Sequence, residues 1–258
     1  MKRINEKLLV VLFCALFFAS RAHAENGSFT NCLAQGELSE KNGDVSSASR
    51  FYWQAEQLGC SNAADLCVLT RNYCDLMHST DSAAGKKHLL ESAMACASQA
   101  MKIDPKSSTA HASMAVCYAK ASSFVGIREK VAYSRLIKEE VEEAIALNPK
   151  EDVAYYLLGR WNCGVANIGL FPRTYVRVVY GGLPYASNEE AIRDFKQAIT
   201  LAPGHILYHT GLAMAYETTG QKNLALAELK VSAGLKPLDR DDEDAQREAV
   251  KELNSMPP

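Results

Sequence analysis

Four segments of this 258-residue chain end in the same three-residue phrase, an aliphatic residue, any residue, then proline: Ile103-Asp104-Pro105, Leu147-Asn148-Pro149, Leu201-Ala202-Pro203 and Leu235-Lys236-Pro237. Proline lacks the N–H that a helix needs and its ring collides with the carbonyl one turn back, so each phrase marks a helix end. Five positions before each proline stands a small residue (Ala100, Ala144, Ala198, Ser232), where a second helix can approach closely. The last two prolines are 34 residues apart and the earlier gaps are 44 and 54, which reads as one unit carrying insertions of 10 and 20 residues. A repeat of this length is a helix pair that cannot bury its apolar face alone, so the pairs must stack. Stacked pairs offer extended surfaces for binding rather than a reaction centre.

The clearest unit runs from about His205 to Pro237. It carries Leu212 and Tyr216 on a first helix, Gly220 at the turn, and Ala225 and Leu229 on a return helix, a spacing that resembles the tetratricopeptide repeat (TPR). Leu212 and Tyr216 are i,i+4 neighbours on one face, and small Ala225 lets the return helix dock. A first unit fits the same template with Gly36, Gly43, Ala48, Tyr52 and Ala55, and with Cys60 where proline usually falls. Five helix pairs result, from about Phe29 to Pro237, with extra residues in the second and third units lengthening the turns between their helices. Beyond Pro237, the run Asp239 to Asp244 precedes Ala245, Ala249, Val250 and Leu253, an amphipathic helix with acid at its positive end that reads as a terminal cap. The expected fold is all-α: a right-handed superhelix of about five TPR-like pairs plus a C-terminal capping helix, with a long insertion in the fourth unit, forming one domain over residues 25–258.

Three stretches are more specific than any one repeat: Tyr133-Ser134-Arg135-Leu136-Ile137-Lys138-Glu139, then Ala144-Ile145-Ala146-Leu147-Asn148-Pro149-Lys150, then Leu158-Gly159-Arg160-Trp161-Asn162-Cys163. Together with the insertion after Gly164 they resemble the regulator of microtubule dynamics family, over roughly Ser107 to Leu253. The resemblance implies a tetratricopeptide-like helical domain and links to microtubules or to mitochondrial and endoplasmic reticulum membranes, with lipid binding in one branch.

Residues 1–24 read as a secretory signal peptide: Lys2, Arg3 and Lys7 precede an apolar run from Leu8 to Ala19, and Ala22-His23-Ala24 has the small-x-small pattern of a cleavage site. The run is shorter than the roughly 20 residues needed to span a bilayer. Cleavage after Ala24 would export the chain; the alternative is a cytoplasmic protein anchored to a membrane by its N-terminus. Removal takes four basic side chains and one acidic one, leaving 24 basic and 29 acidic residues and a formal charge of −5. That balance excludes nucleic acid as the expected partner. Microtubules enter only through the resemblance, and export conflicts with them. Seven cysteines remain, Cys32, Cys60, Cys67, Cys74, Cys96, Cys117 and Cys163, readable either as staples between helices or as small buried apolar residues.

No nucleophile elbow, phosphate loop, dinucleotide fingerprint or paired-cysteine zinc ribbon is present, so the expectation is a non-enzymatic module with no cofactor and no metal. His205 and His209 are i,i+4, but two ligands do not make a metal site. Glu139, Glu140, Glu142 and Glu143 read as a solvated face. Binding candidates fall in two groups. On first helices, Lys120, Tyr156, Arg160, Met214 and Glu217 are expected to point into the concave groove. In the insertion Gly164–Ser187, Pro172 suits a first helical turn, with Arg173 and Arg177 on one edge and Tyr175 and Val179 on another, followed by Tyr180. That segment either folds back over the groove, touches a lipid surface or grips an acidic partner. The favoured function is recognition of a protein or peptide in the groove. The alternatives are a lipid-binding domain with an apolar tunnel lined by the 164–187 insertion, and a cytosolic microtubule or organelle-contact factor.

Overall fold

The computed structural model describes residues 28–255, which contain helices, turns and loops and no strand. The helices come in pairs: α1 (28–41) and α2 (Val45–Leu58), α3 (Ala63–Leu76) and α4 (Ala83–Ile103), α5 (Ser108–Ala121) and α6 (Ile127–Leu147). Next is α7 (Asp152–Ala166), which pairs with α9 (Asn188–Leu201) across the intervening α8 (Leu170–Tyr180); α10 (Ile206–Thr218) pairs with α11 (Lys222–Gly234), and α12 (Arg240–Ser255) follows. Among the described residues there are therefore five pairs and a terminal helix. The signal-peptide expectation at residues 1–24 falls outside the described residues. No helix among the described residues is long and apolar enough to cross a membrane.

The repeated phrase ends helices as its chemistry requires. α4, α6 and α9 stop at Ile103, Leu147 and Leu201, the aliphatic residue of each phrase, and α11 stops one residue before Leu235. In two phrases the middle residue fastens the turn: Asp104 Oδ1 accepts from the Lys106 N–H at 3.0 Å and Asn148 Oδ1 from the Lys150 N–H at 3.1 Å. Helix starts are capped by side chains that take an otherwise unpaired N–H, among them Asp44, Asn62, Ser82, Ser107 and Ser187. The extra residues of the second and third units lie elsewhere than expected. Besides the short turns Met77–Ser79 and Ser122–Phe124, they lengthen the return helices α4 and α6 to 21 residues each. The α6 segment has no glycine or proline inside it, so nothing stops the helix from extending back toward Gly126.

Side-by-side packing uses aromatic knobs against residues without a Cβ. The Phe195 ring lies between Gly159 and Gly211; a Cβ added at those positions would stand 3.0 and 2.6 Å from it. Tyr52 fills the same kind of gap at Gly36. First helices contact one another in the order α3, α5, α7, α10, α12, while α4, α6, α9 and α11 each pack on the first helix of the next pair. The first helices thus form an inner row and the return helices an outer one. The start of α12 touches the short turn after α3, so the row curves with its first helices on the inside.

The cysteines in the described residues are free thiols; Cys60, Cys67, Cys74, Cys96 and Cys117 lie in the core of the first three pairs. Burial, and after it the neighbouring negative charges, pushes the Cys96 thiol up to about 12.

The insertion does not enter the inner row. α8 packs on α6 of the outer row, where the Arg135 guanidinium donates to the carbonyls of Tyr180 and Gly182. Arg173 Nη2 donates to Val165 O and Ala166 O, both at 2.9 Å, closing the end of α7. Val176 is the buried residue of α8; Leu170, Phe171 and Val178 are 82%, 91% and 77% exposed. A cover for the groove, or a tunnel lined by residues 164–187, needs these side chains turned inward. They face solvent because the two arginines and Val176 have already set which side of α8 meets the protein.

Candidate functional site

The inner row converges on one place, where the ends of α3 and α5 and the middle of α7 meet the first turn of α12. His78, in the short turn after α3, lies between two carboxylates of α12: Nδ1 is 2.7 Å from Asp244 Oδ2 and Nε2 is 2.8 Å from Asp241 Oδ1. Both ring nitrogens face carboxylate oxygens, an arrangement that favours the doubly protonated imidazolium form. Its pKa is raised, first by the Asp241 hydrogen bond, against burial and the nearby Lys120 charge. Lys120, on the last turn of α5, is 3.7 Å from Asp241 Oδ1 and 3.4 Å from His78 Nε2. The ammonium and the imidazolium are both donors; what holds them side by side is the shared Asp241 acceptor. On α7, Arg160 Nη1 donates to the Tyr156 hydroxyl at 3.0 Å, and Tyr156 stacks on Tyr208 with ring centroids 5.1 Å apart.

Asp241 sits among three cations. Burial pushes its carboxyl up, but the His78 hydrogen bond and the charges of Lys120, His78 and Arg160 outweigh burial and leave it below the usual range. Asp75, facing the same place from α3, is pushed the other way, up to about 7, by burial first and then by the charges of Asp241, Glu40 and Asp239, with Lys120 opposing. The acid crowding therefore stands partly uncompensated beside a well-compensated Asp241.

The neighbouring Asp242 is fully buried and has a different task. Its Oδ1 accepts from Leu207 N–H at 2.9 Å and its Oδ2 from Leu238 N–H at 3.2 Å, with His205 Nδ1 at 3.6 Å. It pins the start of α12 to the start of α10, and Gln246 adds a bond to Leu235 O at 2.7 Å. The acidic run Asp239–Asp244 thus divides by role. Asp239 accepts from the Asp242 N–H at 2.9 Å as a cap, Asp242 anchors, and Asp241 and Asp244 reach across the groove.

Of the residues singled out from sequence, Lys120, Tyr156 and Arg160 come together here, with Tyr156 buried as a wall of the site and Arg160 open to solvent. Met214 and Glu217 lie on the exposed side of α10. Glu217 hydrogen-bonds Glu252 of α12, which pushes the Glu252 carboxyl up to about 7, burial and the Glu217 charge adding to it. Arg173, Tyr175, Arg177 and Tyr180 lie on α8 in the outer row, with the Tyr175 and Tyr180 rings edge to face at 5.8 Å. His78, Asp241 and Asp244 were not legible as a site, since 166 positions separate the His78 and Asp244 partners.

Two further histidine–carboxylate pairs join the helices of a unit, and the first corrects the solvated reading of Glu140. His111 Nδ1 is 2.6 Å from Glu140 Oε2 and its Nε2 is 3.2 Å from Pro105 O; His209 Nδ1 is 2.7 Å from Glu228 Oε2 and its Nε2 is 3.1 Å from Pro203 O. Each histidine ties the two helices of its unit to the proline phrase before it. A signal was available: in both units the histidine stands six residues after one proline and the glutamate nine before the next. Among the described residues no group of three or more His, Cys, Asp or Glu side chains is placed to hold a metal.

Stacked helix pairs with aromatic knobs set against glycines, four of the five ending in the proline phrase, define a tetratricopeptide-repeat protein. A thermophilic TPR protein of Thermus thermophilus superposes with a TM-score of 0.59 at 17% identity, over 86% of this chain and 99% of that one, which supports the fold alone. The sequence pattern of regulator of microtubule dynamics protein 1-3 matches residues 31–257, and the chain belongs to that family. It is 29% identical over 191 residues to regulator of microtubule dynamics protein 3 of Xenopus laevis, covering 74% of this chain and 40% of that protein. To protein 1 of Mus musculus it is 30% identical over 174 residues, 66% of this chain and 56% of the relative. The chain thus spans about half the length of the curated relatives it matches.

Proposed function

We propose that the protein is a non-enzymatic scaffold that recognises an acidic segment of a protein partner on the inner face of its helical repeat. One observation carries this reading: His78, Lys120 and Arg160, from three successive units, bring their positive charges to one place against the stacked Tyr156 and Tyr208 rings. Three cations beside aromatic walls suit carboxylates carried on a peptide, because charge-assisted hydrogen bonds supply strength and the rings supply apolar contact. The relatives' name, regulators of microtubule dynamics, points to protein partners. We further propose export after cleavage near Ala24, which sets the partner apart from cytosolic microtubules.

The test is fluorescence anisotropy with a fluorescein-labelled hexaglutamate peptide and its hexaglutamine counterpart. The expected result is salt-sensitive binding of the acidic peptide, lost in Arg160→Glu and Lys120→Glu, and none of the neutral one. Equal binding of both peptides would sink the acidic-segment reading. Intact mass of the purified native protein checks export, with loss of residues 1–24 as the expected outcome.

A further inference from the structure

We propose that the acidic first turn of α12 is a built-in competitor for the inner site: Asp241 and Asp244 fill it in cis, and an acidic segment of the partner takes their place by displacing that turn. The inference rests on the acidic-segment reading above and adds regulation to it.

Two kinds of contact hold α12, and they are separable. Its lengthwise attachment to α10 and α11 depends on Asp242 and Gln246 and on a small apolar stake, since Ala245 and Ala249 are its buried apolar residues and Leu253 is only partly covered. By contrast, α10 buries Ile206, Tyr208, Leu212 and Tyr216. A helix that covers so little apolar surface opens at low cost compared with its neighbours. The contacts across the groove are ionic and partly open to water, with Asp241 and Asp244 side chains 35% and 38% exposed. Nothing in the packing of α12 on α10 needs them.

The turn meets acid as well as cations in this place. Asp75 and Glu40 face the same place from α3 and α1, and both carboxyls are raised, by burial first; for Asp75 the charges of Asp241 and Asp239 add to it. On the other side stand His78, Lys120 and Arg160, together with Arg240, whose charge acts on Glu40. A cap whose sole work was to close the end of the repeat would not need carboxylates carried into a place already crowded with acid. A ligand that mimics the partner's charge would.

A cis ligand acts at high effective concentration, so its removal strengthens binding in trans without any new contact. In Asp241→Asn/Asp244→Asn, with Asp239 and Asp242 untouched, hexaglutamate is expected to bind about tenfold tighter than to the wild type. Hydrogen exchange on the wild-type protein supplies a readout that needs no variant: amides of residues 239–249 should exchange faster when hexaglutamate saturates the site and stay unchanged with hexaglutamine. Wild-type affinity in the double variant, or unchanged exchange at saturation, overturns the competitor while Arg160-dependent binding leaves the acidic-segment reading standing. Failure of hexaglutamate to bind any form removes both.

Discussion

Two helices are added to the five repeated pairs, and they meet the protein in opposite ways. α8 is rich in apolar residues and turns most of them to solvent; α12 starts with a run of acid and carries it into the interior of the curve. A segment's hydrophobicity therefore says less about what it covers than the surface waiting for it. α8 meets the outer row, where Arg135 and the end of α7 offer and need polar contacts. α12 meets three cations and two backbone N–H groups, and its carboxylates satisfy both.

The sharpest test of this contrast is Asp242→Ala. It strips the partner from Leu207 N–H, Leu238 N–H and His205 at a fully buried position, at an expected cost of about 3 kcal/mol in urea unfolding. A change below about 1 kcal/mol would mean that α12 is no better anchored than α8. Gly159→Leu tests the frame on which both helices sit: the new side chain must displace the Phe195 ring, destabilising by about 2 kcal/mol. Wild-type stability there would break the repeat register itself.

Titration separates the two regions next. His78, His111, His205 and His209 all have raised pKa values, each through an acidic partner acting against burial. Their stabilisation is complete below 6.5 and is lost as pH rises through the raised values. Asp75 and Glu252, raised to about 7, and Asp194, raised to about 6, act with the same sign, because the folded state keeps protons that the unfolded chain releases. Asp241 and Asp242 are lowered; their stabilisation is present above 3.8 and is lost in acid. The thermal midpoint should therefore be higher at about pH 5.5 than at about pH 8, with α12 amides losing protection first. A flat profile would detach the histidine pairs from stability.

The outer helix supplies the smallest effects. Arg173→Glu places a carboxylate beside the last carbonyls of α7 and should cost about 1 kcal/mol, whereas Arg177→Glu, with no ion pair among the described residues, should stay within about 0.5 kcal/mol. Phe171→Ser should also fall within that range, since the ring is 91% exposed. A large loss of stability in Phe171→Ser would show that α8 packs more than Val176.

The repeat was legible because its signals are local. Proline stops a helix wherever it stands, Gly43 and Gly220 turn the chain at positive φ, and small residues mark close approach. Lys120, Tyr156 and Arg160 could be placed on the inner row by counting turns. What faced them could not, because helix periodicity says which side of a helix is inward and nothing about which distant segment arrives there. The histidine clamps lay between these cases: their spacing to the prolines recurs, yet His209 was weighed only as a metal ligand and set aside, and Glu140 read as solvated surface.

The sequence by itself determined the helix pairs, their number, the points where the proline-marked return helices end and the presence of an amphipathic helix after the last pair, since each follows from steric and capping rules acting within a few residues. Only the tertiary structure decided that α8 lies outside and that α12 brings Asp241 and Asp244 to His78 and Lys120. The curvature of the row sums small rotations at every helix contact, and whether its two ends meet depends on all of them together.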